Sequence, residues 1–177
     1  MLKVNHVIVV GSQAILATYA EDDLPAGASR SLELDVMLDT TDHMLAEAAA
    51  DELTGTLGEY SPFNVENEIH VDGVDYTTCV LPAGWRDRLI RRPTPAFPGD
   101  YEGWFLEKHD LGAAKLCAGR EKDTEFVWSL LTINKLSGIT LTERLRTCAP
   151  WSQPDEDNAN HVHANIQRAL QSLKGEL

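Results

Sequence analysis

The chain has 177 residues, 43% of them hydrophobic and 24% charged, a profile that fits one globular core and excludes a disordered polymer. Its 28 acidic and 15 basic residues give a formal charge of −13, which argues against broad, sequence-independent binding to a polyanion, because such binding needs many Lys and Arg contacts to phosphate. No stretch approaches the roughly 18 to 20 apolar residues of a membrane span, and Met1 to Val10 lacks the features of a signal peptide. Three cysteines, Cys79, Cys117 and Cys148, match neither a disulfide framework nor a zinc pattern, so a cytoplasmic protein without structural zinc is expected.

Taken in order, Val4 to Val10 reads as a central strand, β-branched and closed by Gly11. Ser12 to Tyr19 reads as a short helix with Ser12 as N-cap, and Glu21 to Ser29, holding Pro25 and Gly27, as a loop. Ser31 to Leu38 alternates: Leu32, Leu34, Val36 and Leu38 share one face, and Glu33, Asp35, Met37 and Asp39 the other, which predicts a strand with one polar face. Asp42 is placed to cap a helix running to about Leu57, with Gly58 as its stop and Met44, Leu45, Ala48, Ala49 and Leu53 as the packing stripe. Val65 to Leu81 carries Asp72-Gly73 between two β-rich runs, the signature of a hairpin that would pair Val71 with Val74, His70 with Asp75 and Ile69 with Tyr76.

Pro82 to Asp100 is turn-rich, carries Arg86, Arg88, Arg91 and Arg92, and reads as a loop between two halves. From Phe105 onward the pattern is helical. Asp110 is expected to cap Leu111 to Ala118, Asp123 to cap Thr124 to Leu131, and Thr140 to Glu143 to form a capping box, with Asn158 to Leu173 as the last helix. The expected organisation is a core over residues 1–100 and a helical C-terminal portion over 101–177 packed on it, together an α/β fold with a short mixed sheet flanked by helices.

Two features carry chemistry. Glu33 and Asp35 stand two apart on a strand, so their Cα atoms are roughly 6.6 Å apart on one face. That reach suits a pair of divalent ions roughly 3.5 to 4 Å apart. The competing reading is a solvated edge strand, but like charges on one strand face are unfavourable and call for a cation. Gly11-Ser12, between a strand and a helix, offers backbone N–H groups and a hydroxyl where a phosphate is stabilised; the same pair is also an ordinary helix start. His161 and His163 are two apart on a helix, cannot share a face as metal ligands, and read as surface residues.

Strand, Gly11-Ser12, helix and then Leu32-Glu33-Leu34-Asp35-Val36 resemble the minimal nucleotidyltransferase fold of the polymerase-β superfamily. The resemblance implies that Gly11 and Ser12 hold the triphosphate of a nucleoside triphosphate and that the paired acids hold two Mg2+ ions. The first acid is Glu33 where the pattern usually has aspartate, and its extra methylene shifts the carboxylate. The run Asp110-Leu-Gly-Ala-Ala-Lys115-Leu-Cys-Ala-Gly-Arg120-Glu-Lys122-Asp123 looks like the helical motif of AbiEii-type toxins, and more closely like related nucleotidyltransferase-like proteins that also carry Leu81-Pro82-Ala83-Gly84-Trp85. The similarity covers roughly Val7 to Leu131 and puts the family's lysine at Lys115 and its later aspartate at Asp123.

Lys115 sits in an apolar helical segment, from which it either snorkels to solvent or points into a polar cleft. Asp123 is equally well read as a plain N-cap. The superfamily's third metal carboxylate is assigned to Asp75, with Asp72 explained by the turn and His70 as the cross-strand neighbour of Asp75. Arg86 and Arg88 either hold an acceptor nucleic acid or the outer phosphates, or form a solvated turn. The implied reaction is metal-dependent transfer of a nucleoside monophosphate to an RNA (tRNA) or protein acceptor, in a toxin–antitoxin or defence setting with an antitoxin partner. The alternatives are an inactive relative that binds a nucleotide or a protein, and a purely structural module.

Overall fold

The computed structural model describes residues 4–29, 31–75, 78–94, 100–149 and 156–175. Its strands are β1 (His6–Val9), β2 (Glu33–Met37), β3 (His70–Gly73), β4 (Leu81–Pro82), β5 (Ile90–Pro93), β6 (Glu102–Phe105) and β7 (Cys148–Ala149). Its helices are α1 (Ala26–Ser29), α2 (His43–Leu57), α3 (Pro62–Asn67), α4 (Lys108–Ala118), α5 (Glu121–Thr132), α6 (Gly138–Arg146) and α7 (Glu156–Leu173). Five strands form one mixed sheet in the order β3-β2-β1-β6-β5. β1 runs antiparallel to β2 and parallel to β6, β2 runs parallel to β3, and β5 closes the far edge antiparallel to β6. The architecture is thus α/β, a mixed sheet flanked by helices with a long helix at the C-terminal end.

The β-branched run of β1 lies at the centre, where both faces are covered; Ile8 is fully buried and Val9 nearly so. Beneath the sheet, α4 contributes Leu111, Leu116 and Cys117 to a core shared with Leu130, Leu141 and Leu145. Each such leucine contributes about 2 kcal/mol of transfer free energy. α4 is the axis of the helical layer and contacts α5, α6 and α7. Its far end is fixed by Gly119 at φ 69 and by Asn165 of α7, whose Nδ2 donates to the carbonyls of Cys117 (2.9 Å) and Ala118 (3.2 Å).

Several expectations change. The 3-10 helix Ser12–Ala17 has Gly11, not Ser12, as its cap, with no side-chain capping bond. The segment expected as a loop contains a 3-10 turn (Glu21–Asp23) and α1. α2 has the expected bounds and cap, Asp42 accepting from the Met44 and Leu45 amides, but it buries Ala46 and Ala49 while Met44 is 75% exposed. Small residues on that face let the helix lie close to β3, so Met44 and Leu45 are left outside. The Asp72-Gly73 hairpin does not form: α3 fills the front of that segment, and β3 pairs with β2 in parallel. Tyr76 lies outside the described residues. Gly73 serves a different purpose, since a Cβ there would stand 2.1 Å from the Ala50 carbonyl oxygen of α2.

The Pro82 to Asp100 segment is also more ordered than a loop: it supplies β4, a 3-10 turn (Trp85–Arg88) and edge strand β5, which carries Arg91 and Arg92. β6, expected as neither strand nor helix, lies beside β1, so the sheet draws on both sides of residue 100. The helix starts shift as well. Glu107 caps α4, accepting from the His109 and Asp110 amides, Arg120 stands at the N-cap of α5, and Ser137 caps α6 in place of a Thr140–Glu143 box. Asp110 and Asp123, read as caps, are buried within helices.

Candidate active site

β2 presents Glu33 and Asp35 on one face, and the parallel register sets His70 opposite Glu33 and Asp72 opposite Asp35. Asp72, on the strand, is therefore the third carboxylate of the cluster. Asp75 lies beyond the end of β3, because the hairpin that assigned it to this place does not exist. One ligand atom each from Glu33, His70 and Asp72 lies within 4.8 Å of the others.

Electrostatically the cluster is under strain. Burial first, then the charge of Glu33, raise the Asp35 carboxyl to about 6; Lys115 pulls it down, while Asp72 and a hydrogen bond with Glu33 add to the rise. Asp72 is raised too, by burial and then by Glu33, against the opposing influence of His70. Two carboxyl groups close enough to hydrogen bond must share a proton or a cation. The donor set suits a divalent cation: three carboxylates crowd together, and the charge they lack is what such an ion supplies.

Gly11 is part of this geometry. Its φ of −83 is open to any residue, so the backbone does not require glycine. The demand is steric: a Cβ would stand 1.7 Å from Asp35 Oδ2. The Asp35 carboxylate occupies the space that a side chain at 11 would take, and the Val10 amide donates to the Asp35 carbonyl (3.0 Å), holding turn and strand together.

Across from the acids stands a basic wall. Lys115, on the last turn of α4, places Nζ 2.9 Å from Asp123 Oδ1 and 4.8 Å from the centre of the Phe126 ring. Arg120 donates to the same carboxylate, Nε to Oδ2 at 2.6 Å. Burial pushes the fully enclosed Asp123 up, yet the hydrogen bond from Arg120 and then the charge and hydrogen bond of Lys115 outweigh it and hold the carboxyl below its ordinary value. Asp123 thus stays ionised and fixes both cations. Of the two fates open to Lys115, the structure selects the polar cleft.

Acids and bases line one cleft of about 220 Å³, bounded by Ser12, Gly27, Ser31, Glu33, Asp35, Lys115, Arg120, Lys122, Asp123 and Phe126. Ser12 and Asp35 therefore share a cavity. A smaller recess continues behind Asp35 to Val74 and Cys79. Burial, then the Asp35 charge, push the Cys79 thiol up to about 12, so it is protonated at neutral pH and is no nucleophile.

Other residues stand elsewhere. Arg88 belongs to the packing: it forms a bidentate pair with buried Asp110 (Nε to Oδ2 2.8 Å, Nη2 to Oδ1 3.0 Å), and Arg144 Nε lies 3.0 Å from Oδ1 at an angle outside hydrogen-bond geometry. Arg86 pairs with Asp39 at 3.3 Å and lies over Trp85. His161 and His163 are exposed on α7. Sequence reasoning set Asp72 aside as a turn residue and His70 as a neighbour of Asp75, whereas the strand register brings both beside Glu33; the signal that could have suggested it is the His-X-Asp spacing, which repeats the Glu-X-Asp of β2.

A family model described as "Nucleotidyltransferase of unknown function (DUF6036)" matches residues 1–172. Neither the curated proteins nor the solved structures compared gave a match.

Proposed function

The chain belongs to this family of nucleotidyltransferases of unknown function, and from that premise we propose that it transfers a nucleoside monophosphate from a nucleoside triphosphate to an acceptor hydroxyl in a reaction that depends on divalent cations. The observation that carries the reading is that Glu33 and Asp35 share one cleft with Lys115 and Arg120, while burial and the charges of Glu33 and Asp72 raise Asp35 to about 6. Glu33, Asp35 and Asp72 would hold the cations, Mg2+ by the sequence resemblance. Bound there, they would offset phosphate charge and lower the pKa of the attacking hydroxyl.

The chain's own groups divide the remaining work. The acceptor hydroxyl oxygen would bond to the α-phosphorus as its proton passes to a carboxylate of the cluster or to solvent, the bond from that phosphorus to the bridging oxygen breaks, and pyrophosphate leaves. The Ser12 hydroxyl and the Gly11 turn would hold the β and γ phosphates, and Lys115 with Arg120 would stabilise charge on the departing pyrophosphate. Asp123 keeps Lys115 directed into the cleft. The acceptor class, RNA (tRNA) or protein, the antitoxin partner and the toxin–antitoxin or defence role rest on the sequence resemblance, and a cytoplasmic setting on the composition and cysteine usage. No helix among the described residues is long and apolar enough to cross a membrane.

A second reading, an inactive relative that binds nucleotide or a partner protein, is favoured by two observations: glutamate at position 33, and an Asp123 that already pairs with Lys115 and Arg120. Incubation of the four α-labelled ribonucleoside triphosphates with divalent cation, total RNA and cell extract separates the two. The proposal expects label on an RNA or protein, none with the γ-labelled forms and none with Asp35→Ala. Cation-dependent nucleotide binding without transfer would favour the inactive relative.

A further inference from the structure

We propose that His70 is itself a metal ligand, so that the cluster on β2 and β3 is a mixed nitrogen–oxygen site that selects Mn2+ over Mg2+. The inference rests on the reading that this cluster holds divalent cations, and it narrows which cation.

The placement follows from register. Parallel pairing puts His70 opposite Glu33 and Asp72 opposite Asp35, and the ligand atoms of Glu33, His70 and Asp72 lie within 4.8 Å of one another. With ligand bonds of roughly 2.0 to 2.2 Å, two ligands on opposite sides of one ion stand roughly 4 Å apart, so a small inward adjustment closes the set. All three side chains are half-buried, shielded enough to hold an ion and open enough to admit it.

The donor types decide the preference. Mg2+ demands oxygen and keeps much of its water, whereas imidazole nitrogen suits transition ions, whose affinity for such sites exceeds that of hard ions of equal charge. Glu33 and Asp72 alone would form an oxygen site indifferent between Mg2+ and Mn2+. An imidazole among them breaks the tie. The competing role for His70 is that of a counter-charge to Asp72, which needs no bond from nitrogen to metal.

Pulsed electron paramagnetic resonance of Mn2+ bound to the full chain without nucleotide separates these roles, because only a coordinated nitrogen imposes its modulation on the manganese spin. The wild type is expected to show that modulation and His70→Asn to lose it. Calorimetric titration should show Mn2+ affinity falling at least ~10-fold in His70→Asn, while Mg2+ affinity changes far less. His70→Gln serves as a second variant, and circular dichroism checks that both fold.

Mn2+ bound without nitrogen modulation would overturn the role of His70 and leave the carboxylate reading intact. Modulation that persists in both variants, or equal losses for Mg2+ and Mn2+, would also overturn it. Absence of any Mn2+ binding to folded wild type without nucleotide would overturn the mixed nitrogen–oxygen site; the proposed function is overturned separately, if no divalent cation supports binding of a triphosphate.

Discussion

Asp110 and Asp35 are two largely buried aspartates on the same scaffold, and their surroundings are opposites. Asp110 is fully enclosed and answered by two guanidinium groups, Arg88 from the turn before β5 and Arg144 from α6. Asp35 meets the like charges of Glu33 and Asp72, and the cations that oppose them, Lys115 and Arg120, are already bonded to Asp123. Burial raises both carboxyls. At Asp110 the fold supplies the compensating charge itself and uses it to tie three segments together. At Asp35 it brings like charges closer, which makes sense if the missing charge arrives from outside. Asp123 lies between these extremes, compensated from within but by cations that face the cleft.

The sharpest way to break the contrast is to delete each group. Asp35→Ala is expected to abolish nucleotidyl transfer, a loss of several orders of magnitude, while circular dichroism and the unfolding transition show an intact fold. Asp110→Ala should do the reverse, leaving two partly buried guanidinium groups without their shared anion at a cost of about 2–3 kcal/mol, read as a clear drop in Tm. Equal destabilisation by both would erase the distinction between the two sites.

A smaller effect carries a definite sign. The folded-state pKa of Asp35, about 6, lies above its ordinary 3.8, so the proton is held more tightly in the folded state. The stabilisation from holding it is complete below 3.8 and gone above about 6. In chelator-treated protein at pH 7 the ionised group is therefore a burden, and Asp35→Asn should be more stable than wild type by about 2 kcal/mol, after discounting for partial exposure, at about 1.4 kcal/mol per pKa unit. Denaturant melts should show the gap closing as the pH falls toward 4. A variant less stable than wild type at pH 7 would mean that Asp35 is already compensated.

Gly11→Ala sharpens the comparison from the other side. Since its backbone is unstrained, the added methyl acts through Asp35, which must move away. Overpacking of this kind costs about 1–3 kcal/mol. The expected signature is a weaker cation affinity, measured by titration, out of proportion to that modest loss of stability.

What the sequence makes legible here follows from how local each signal is. The alternation of Ser31 to Leu38 places Glu33 and Asp35 correctly, because side-chain direction on a strand depends only on parity. Asp42 and the bounds of α2 are equally local. The failures share a different cause. Asp72-Gly73 has the composition of a turn, yet Gly73 is small because α2 passes over it, a contact between segments 23 residues apart (73 against 50). Asp110 and Asp123 look like caps until their partners are known, and those of Asp110 lie at positions 88 and 144. β6, with Gly103 and no alternation, is a strand because β1 and β5 flank it. His70 and Asp72 join the cluster through the parallel pairing of β3 with β2, which their His-X-Asp spacing hints at but does not specify.

The central claim is that the charge missing around Asp35 is supplied by a cation brought with, or for, a nucleoside triphosphate. Isothermal titration of ATP, GTP, CTP and UTP into wild type and Asp35→Asn, each with Mn2+ and with chelator, tests it most directly. The account predicts that at least one triphosphate binds wild type, that chelator removes the binding, and that Asp35→Asn loses it while remaining folded. Binding that survives chelation, or that is as tight in Asp35→Asn as in wild type, would contradict it.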